Sequence, residues 1–266
     1  MAETFDYILK LNAIRSELLK DKDRPEPSWV RITTITMISK FQTEIDIPKF
    51  RENFAKLGSI KIRPVGSSSN GFEWFSKDTA FYNQVTIWYS DAYSRKSIKL
   101  FPNGSIQVAG CSDLFDCKRV LAQLSVIVKI VLGLEAPLQT EPPAVKMINT
   151  NFSLNASVNL NKIIAKLSKD HRFKVAFDPE RYSAVKVKFT PGFGMKQVTA
   201  SIFSTGRIIV TGAQTLNEIA GAYEILNKNI DPSIFVKKVN EPEMFEVMTG
   251  ARFREWVAVL DNKNVV

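Results

Sequence analysis

The chain has 266 residues, with 36 Lys+Arg against 27 Asp+Glu, one His and two Cys. A hydrophobic content of 45% with 24% charged residues excludes a largely disordered polymer, and no apolar run reaches the length of a helical membrane span. The formal charge of +9 suits a polyanionic partner, while the lone His and the isolated Cys111 and Cys117 argue against histidine-clustered catalysis, a zinc finger and a disulfide framework.

Residues 1–29 are an N-terminal extension that lacks an apolar signal core and reads as a short amphipathic helix. A strand follows in ITTITMISKF (32–41), then a helix-like stretch containing Ala-Lys-Leu at 55–57. PVGSSSNGFEWF (64–75) reads as an inserted linking loop, and Tyr82-Asn-Gln-Val85 opens a further strand. FPNGSIQVAG (101–110) is a hairpin, followed by a strong helix from about Asp113. APLQTEPPA (136–144) is a connector, and the order then repeats. KMINTNFSL (146–154) is a strand, Ala-Lys-Leu recurs at 165–167, and Tyr182-Ser-Ala-Val185 opens another strand. Gly192-Phe193-Gly194 reads as a turn between strands rather than a phosphate loop. FSTGRIIVTG (203–212) repeats the earlier hairpin as F-x-x-G-x-I-x-V-x-G. Thr215 with Glu218 then forms a capping box for a helix whose Ile219, Ala222, Tyr223 and Leu226 share one face. Residues 232–266 are a C-terminal extension, helix-like over 241–260 with Phe253 and Trp256 in a stripe.

The chain is thus an internal duplication: repeat one over 30–135, connector 136–144 and repeat two over 145–231. Each repeat reads strand, helix, antiparallel strands, helix. Two such halves joined edge to edge give an α+β domain with pseudo-twofold symmetry, helices on one face and an open curved antiparallel sheet on the other. Strand alternation predicts what lies on that open face. Val185, Val187 and Phe189 point one way; Tyr182, Ala184, Lys186 and Lys188 point the other. Ile98, Leu100, Ile106 and Val108 oppose Lys99, Phe101, Gln107 and Ala109, just as Ile202, Ile208 and Val210 oppose Phe203, Ile209 and Thr211. The open face therefore combines aromatics, lysines and small polar groups with few carboxylates. Taken singly, Phe101 and Phe203 could instead be core residues under the terminal extensions.

The arrangement resembles the TATA-box-binding protein family, whose core is a saddle of two repeats. IFSTGRIIVTGAQ (202–214) is similar to that family's IF-x-SGK signature ending in TGAK, FDPERYSAVKVKF (177–189) to its YEPE segment and KMINTN (146–151) to its KIQN strand. The extensions and the divergence of the first repeat resemble factors of large nucleocytoplasmic DNA viruses.

The resemblance implies a general transcription initiation factor that binds double-stranded promoter DNA in the minor groove and bends it by aromatic wedge insertion. The implied wedges are Phe101 and Phe203 with Tyr82 and Tyr182, where the family has Phe. Thr34, Thr36, Lys99, Gln107, Asn149, Asn151, Ile209 and Thr211 would lie against the groove. Lys186, Lys188 and Arg207 would hold phosphates. Asp178, Glu180 and Arg181 would form a stirrup contacting a transcription factor IIB-like protein, with RNA polymerase machinery as the wider partner. Thr34 stands at the implied place of a second Asn, with Ala109, Gln107 and Trp88 replacing a Thr, a Val and an Arg. The factor would act in the nucleus, or in a cytoplasmic viral factory or virion. It would use no cofactor, metal, membrane or small-molecule substrate and would not be an enzyme, since no phosphate loop, GxSxG elbow or HExxH is present. The alternative is a scaffold of the same fold that recruits transcription proteins with weak or no DNA binding, and a third reading is single-strand binding by aromatic stacking.

Overall fold

The computed structural model describes residues 2–62, 72–77, 83–91 and 95–236. Tyr82 and the segment carrying Phe253 and Trp256 lie outside them.

Helix α1 (Ala2–Leu18) precedes repeat one, which runs β1 (Arg31–Lys40), α2 (Ile47–Leu57), β2 (Ser59–Ile62), β3 (Phe72–Lys77), β4 (Val85–Ser90), β5 (Arg95–Leu100), β6 (Ser105–Cys111) and α3 (Leu114–Leu132). Repeat two runs β7 (Ala144–Ser153), α4 (Leu160–Leu167), β8 (Lys174–Asp178), β9 (Tyr182–Phe189), β10 (Val198–Ile202), β11 (Arg207–Ala213) and α5 (Leu216–Asn229). All strands join one curved sheet of 11 in the order β2-β3-β4-β5-β6-β1-β7-β11-β10-β9-β8, with every pairing antiparallel. The two repeats meet where β1 pairs with β7. Residues 72–75, expected in a loop, are strand, and Trp74 is fully buried against Tyr89. The Gly/Ser-rich run just upstream masked a strand whose period-2 pattern is only six residues long.

The helices start where short polar side chains satisfy free backbone donors. Asp46, Asp113, Asn159 and Thr215 accept from the N–H groups of Lys49, Asp116, Lys162 and Glu218 at the starts of α2, α3, α4 and α5. Their apolar faces cover one side of the sheet. Met37, Ile87, Ile98 and Val108 meet Phe50, Phe54, Val120 and Leu124 under repeat one. Phe152, Val187, Ile202 and Ile208 meet Ile163, Ile219, Tyr223 and Leu226 under repeat two. Ile35 packs against both cores and links them.

Helix α1 belongs spatially to repeat two. Tyr7, Leu11, Ile14 and Leu18, spaced as one helical face, bury against the core that contains α5, which α1 contacts directly. Arg15 lies over the Trp29 ring and donates to the carbonyl of Pro27 and to the Tyr223 hydroxyl. Arg24 donates to the Ile230 carbonyl at 2.9 Å. The N-terminal extension therefore braces the helix-covered side, and Phe101 and Phe203 stay partly exposed on the other.

Candidate nucleic-acid interface

The repeated F-x-x-G-x-I-x-V-x-G pattern builds two matching hairpins. In each, the aromatic N–H donates to the carbonyl across the turn (Phe101 to Ser105, Phe203 to Arg207, both 3.0 Å). The turn glycines Gly104 and Gly206 have φ of +79° and +78°, and a Cβ there would lie 2.4 Å from the Thr43 oxygen and 1.9 Å from the Ala156 oxygen. These turns set Phe101 and Phe203 at corresponding corners of the open face. Tyr182 meets Phe203 edge to face, with ring centroids 5.7 Å apart, and the Lys186 Nζ stands 4.9 Å from the Tyr182 ring centre.

Across the sheet, the predicted alternation holds. Val185, Val187, Ile202, Ile208 and Val210 are buried on the helix side, while Lys186 and Lys188 are exposed and Phe203, Ile209 and Thr211 half-buried on the other. Repeat one follows suit, with Ile98, Leu100, Ile106 and Val108 inside and Lys99, Phe101, Gln107 and Ala109 half-buried on the open face. Among the described residues, the only carboxylates in the strands are Glu73 and Asp178, both on outer strands. Glu73 is paired with Lys61 at 3.6 Å.

At the centre, the Asn149 Nδ2 donates to the Thr34 Oγ1 at 2.9 Å across the β1–β7 junction. The Asn149 Oδ1 is buried without a partner among the described residues. The register corrects one assignment. Ile35 pairs with Cys111 and Ile148 with Ala213, so Thr36, not Thr34, is the repeat-one counterpart of Asn149, and Ile38 that of Asn151. Thr34 is instead the residue that faces Asn149 across the junction.

The same registers expose an asymmetry. On the outer open face of repeat two, Lys188 pairs with Lys174 and Thr199, and Lys186 with Ser201. The matching positions in repeat one are Trp88, paired with Phe75 and Ser97, and Thr86, paired with Lys99. Lys174 and Phe75 escaped sequence reading because neither β8 nor β3 had been phased. Asp178, Glu180 and Arg181 sit together in the exposed β8–β9 turn, where the Arg181 N–H donates to the Asp178 carbonyl at 3.2 Å.

A buried cluster of charged groups lies on the helix side instead. Lys96, almost fully buried, pairs with Asp116 at 3.1 Å, and Asp116 also pairs with Arg119 at 2.9 Å. Burial raises the Asp116 carboxyl, but donors from Arg119, Ser112 and Lys96 hold it below its ordinary value. The thiol of its neighbour Cys111 is pushed up by the hydrogen bond it donates to Cys117 and by burial. This cluster is packed between sheet and α3, away from the open face. Among the described residues, no three metal-ligating side chains gather and no helix is long and apolar enough to cross a membrane.

The open sheet and its paired hairpins define a two-repeat α+β saddle. Residues 143–231 match the family model described as Transcription factor TFIID (or TATA-binding protein, TBP). The chain is 28% identical over 275 residues to the "TATA-box-binding protein-like" protein of Acanthamoeba polyphaga mimivirus, covering 89% of this chain and 72% of that one. Among solved structures, Methanococcus jannaschii TBP aligns with a TM-score of 0.48 and 13% identity, over 76% of this chain and 98% of that one. The second repeat thus matches the TATA-binding-protein model, and the chain over most of its length is similar to a viral protein of that type.

Proposed function

We propose that the open face binds promoter DNA through the minor groove and bends it. The observation that carries this reading is the symmetric pair Phe101 and Phe203, set by identical turns on a sheet face nearly free of carboxylates. Apolar wedges at two corners can enter base steps, and a bent duplex then covers more of the sheet. Asn149 and its partner Thr34 would meet the groove's acceptors, with Thr211, Asn151, Ile209 and Gln107 beside them, while Thr36 is buried in the sheet. Lys186, Lys188, Arg207 and Lys174 would hold phosphates. Two lysines directly opposite across a ladder, as at 174 and 188, repel each other. A bound phosphate relieves that repulsion. The Asp178–Arg181 turn would meet a transcription factor IIB-like partner, and the site of action would be a nucleus, viral factory or virion.

Energy transfer across a short, doubly labelled AT-rich duplex tests the reading. Transfer should rise on binding, and Phe203→Ala should reduce that rise more than it reduces salt-dependent affinity. A variant that bends DNA like the parent would remove the wedge. A second reading, a recruiting scaffold, draws on repeat one, where Trp88 and Thr86 stand in place of phosphate-holding lysines. It predicts no duplex binding even at low salt.

A further inference from the structure

The outer open face of repeat one is built differently from its counterpart. Trp88 and Phe75 are directly opposed across β3 and β4, both half-buried and both facing away from the core pair Trp74 and Tyr89. On the other side of Trp88 the ladder continues to Ser97 and then Ala109. These small side chains leave a shallow floor beside the indole. Along β5, Arg95 and Lys99 flank Ser97 at two residues on either side, on the same face. The equivalent positions in repeat two are Lys188, Lys174, Thr199 and Thr211, a polar and cationic patch with no ring.

Flat aromatic walls beside a small floor, with cations at both ends, match the chemistry of an unpaired nucleobase and its phosphates. Every base has a π-face, so stacking on an aromatic side chain is sequence-tolerant, and neighbouring cations hold the backbone. The acidic Glu73 nearby is already paired with Lys61. This slot is continuous with the proposed duplex-binding face through Lys99, which pairs with Gln107. From this arrangement we infer that repeat one carries a stacking slot, walled by Trp88 and Phe75, for unpaired bases of the bound DNA. The inference rests on the open face being the DNA site. Repeat two would hold intact duplex, and repeat one would capture bases exposed beside the opened step.

The test compares fluorescence anisotropy of a fully paired duplex with that of the same duplex carrying a four-nucleotide bubble towards one end. The full chain should bind the bubble roughly tenfold more tightly, the size expected for stacking one or two bases. Trp88→Ala should abolish that preference and leave duplex affinity within about twofold. Trp88→Lys, which copies the repeat-two residue, should abolish the preference and tighten duplex binding, and it guards against a packing defect in the alanine variant. A 2-aminopurine in the bubble should be quenched by the parent and not by either variant.

Equal binding of bubble and duplex by the parent overturns the slot. So does a preference that survives both Trp88 substitutions, because DNA flexibility would then explain it. Loss of duplex and bubble binding in equal measure by both variants also overturns it. Duplex binding and bending without a bubble preference defeats this inference alone. Bubble binding without duplex binding defeats the duplex reading and leaves the slot standing.

Discussion

Gly206 shows how tightly single positions hold the interface. Its φ of +78° disfavours any side chain, and a Cβ would fall 1.9 Å from the Ala156 oxygen. Gly206→Ala should therefore lower stability by about 3 kcal/mol, combining left-handed strain with a backbone clash. Gly133→Ala, in the left-handed region at φ +69° and ψ +37° with nothing within 4 Å, should lose only about 1 kcal/mol. Urea midpoints of the two variants give the comparison. Glu218 works by hydrogen bonding instead. Burial raises its carboxyl, but N–H donors from Gln214, Lys196 and Thr215 outweigh that and hold it below its ordinary value. A depressed folded value means the contribution is complete above about pH 4.5 and is lost as pH falls through the lowered value. Glu218→Gln should cost about 2 kcal/mol at pH 7, and the gap to the parent should shrink as denaturation is repeated from pH 5 to pH 3. The capping box was legible in the sequence, as were the hairpin glycines by their recurrence. The reach of Glu218 to Lys196 was not, because it depends on how the β9–β10 loop folds over the helix start.

Among elements, α1 carries the clearest consequence. It buries Tyr7, Leu11, Ile14 and Leu18 on repeat two, and each such side chain contributes about 1.5–3 kcal/mol of transfer free energy before chain entropy is subtracted. A net loss of about 3 kcal/mol on deleting residues 1–18 would lower Tm by about 6–12 °C. DNA bending should persist at lower temperature, since α1 lies across the sheet from Phe203. Loss of bending in the folded, truncated protein would show that α1 shapes the open face. The helical period of α1 was readable from sequence, but not its destination, because an amphipathic face does not name the surface it meets. Strand β3 was missed for a related reason: its buried Trp74 stands in a short stretch beside a Gly/Ser-rich run. Which β1 residue answers to Asn149 became legible only through the registers with β6 and β11.

For the whole molecule, the decisive property is a symmetric scaffold with unsymmetric chemistry. The strand order is nearly palindromic about the β1–β7 junction, with β2 as an extra strand on one side. Lysines 174, 186 and 188 crowd one wing, while Phe75, Thr86 and Trp88 fill the other. Salt dependence of duplex affinity should follow that division. Lys186→Ala and Lys188→Ala should each reduce the slope of log K against log salt by about 0.9, the release expected from one phosphate contact. Thr86→Ala should leave the slope unchanged. Equal effects in both wings would show that the duplex does not distinguish them. The duplication and the phase of the inner strands were visible in sequence because the hairpin pattern recurs intact. The outer wings diverged, so their pairing became visible only through the ladder registers.

The packing of α1 on α5 also sets an order of events during synthesis. Once made, α1 finds its partner only after about 200 further residues, roughly 10–40 s at ordinary elongation rates. Until then Tyr7, Leu11, Ile14 and Leu18 form a greasy stripe with nothing to cover it. A nascent chain stalled within repeat one is therefore a natural client for chaperones. Completion of repeat two is the moment at which α1 and α5 close over a common core.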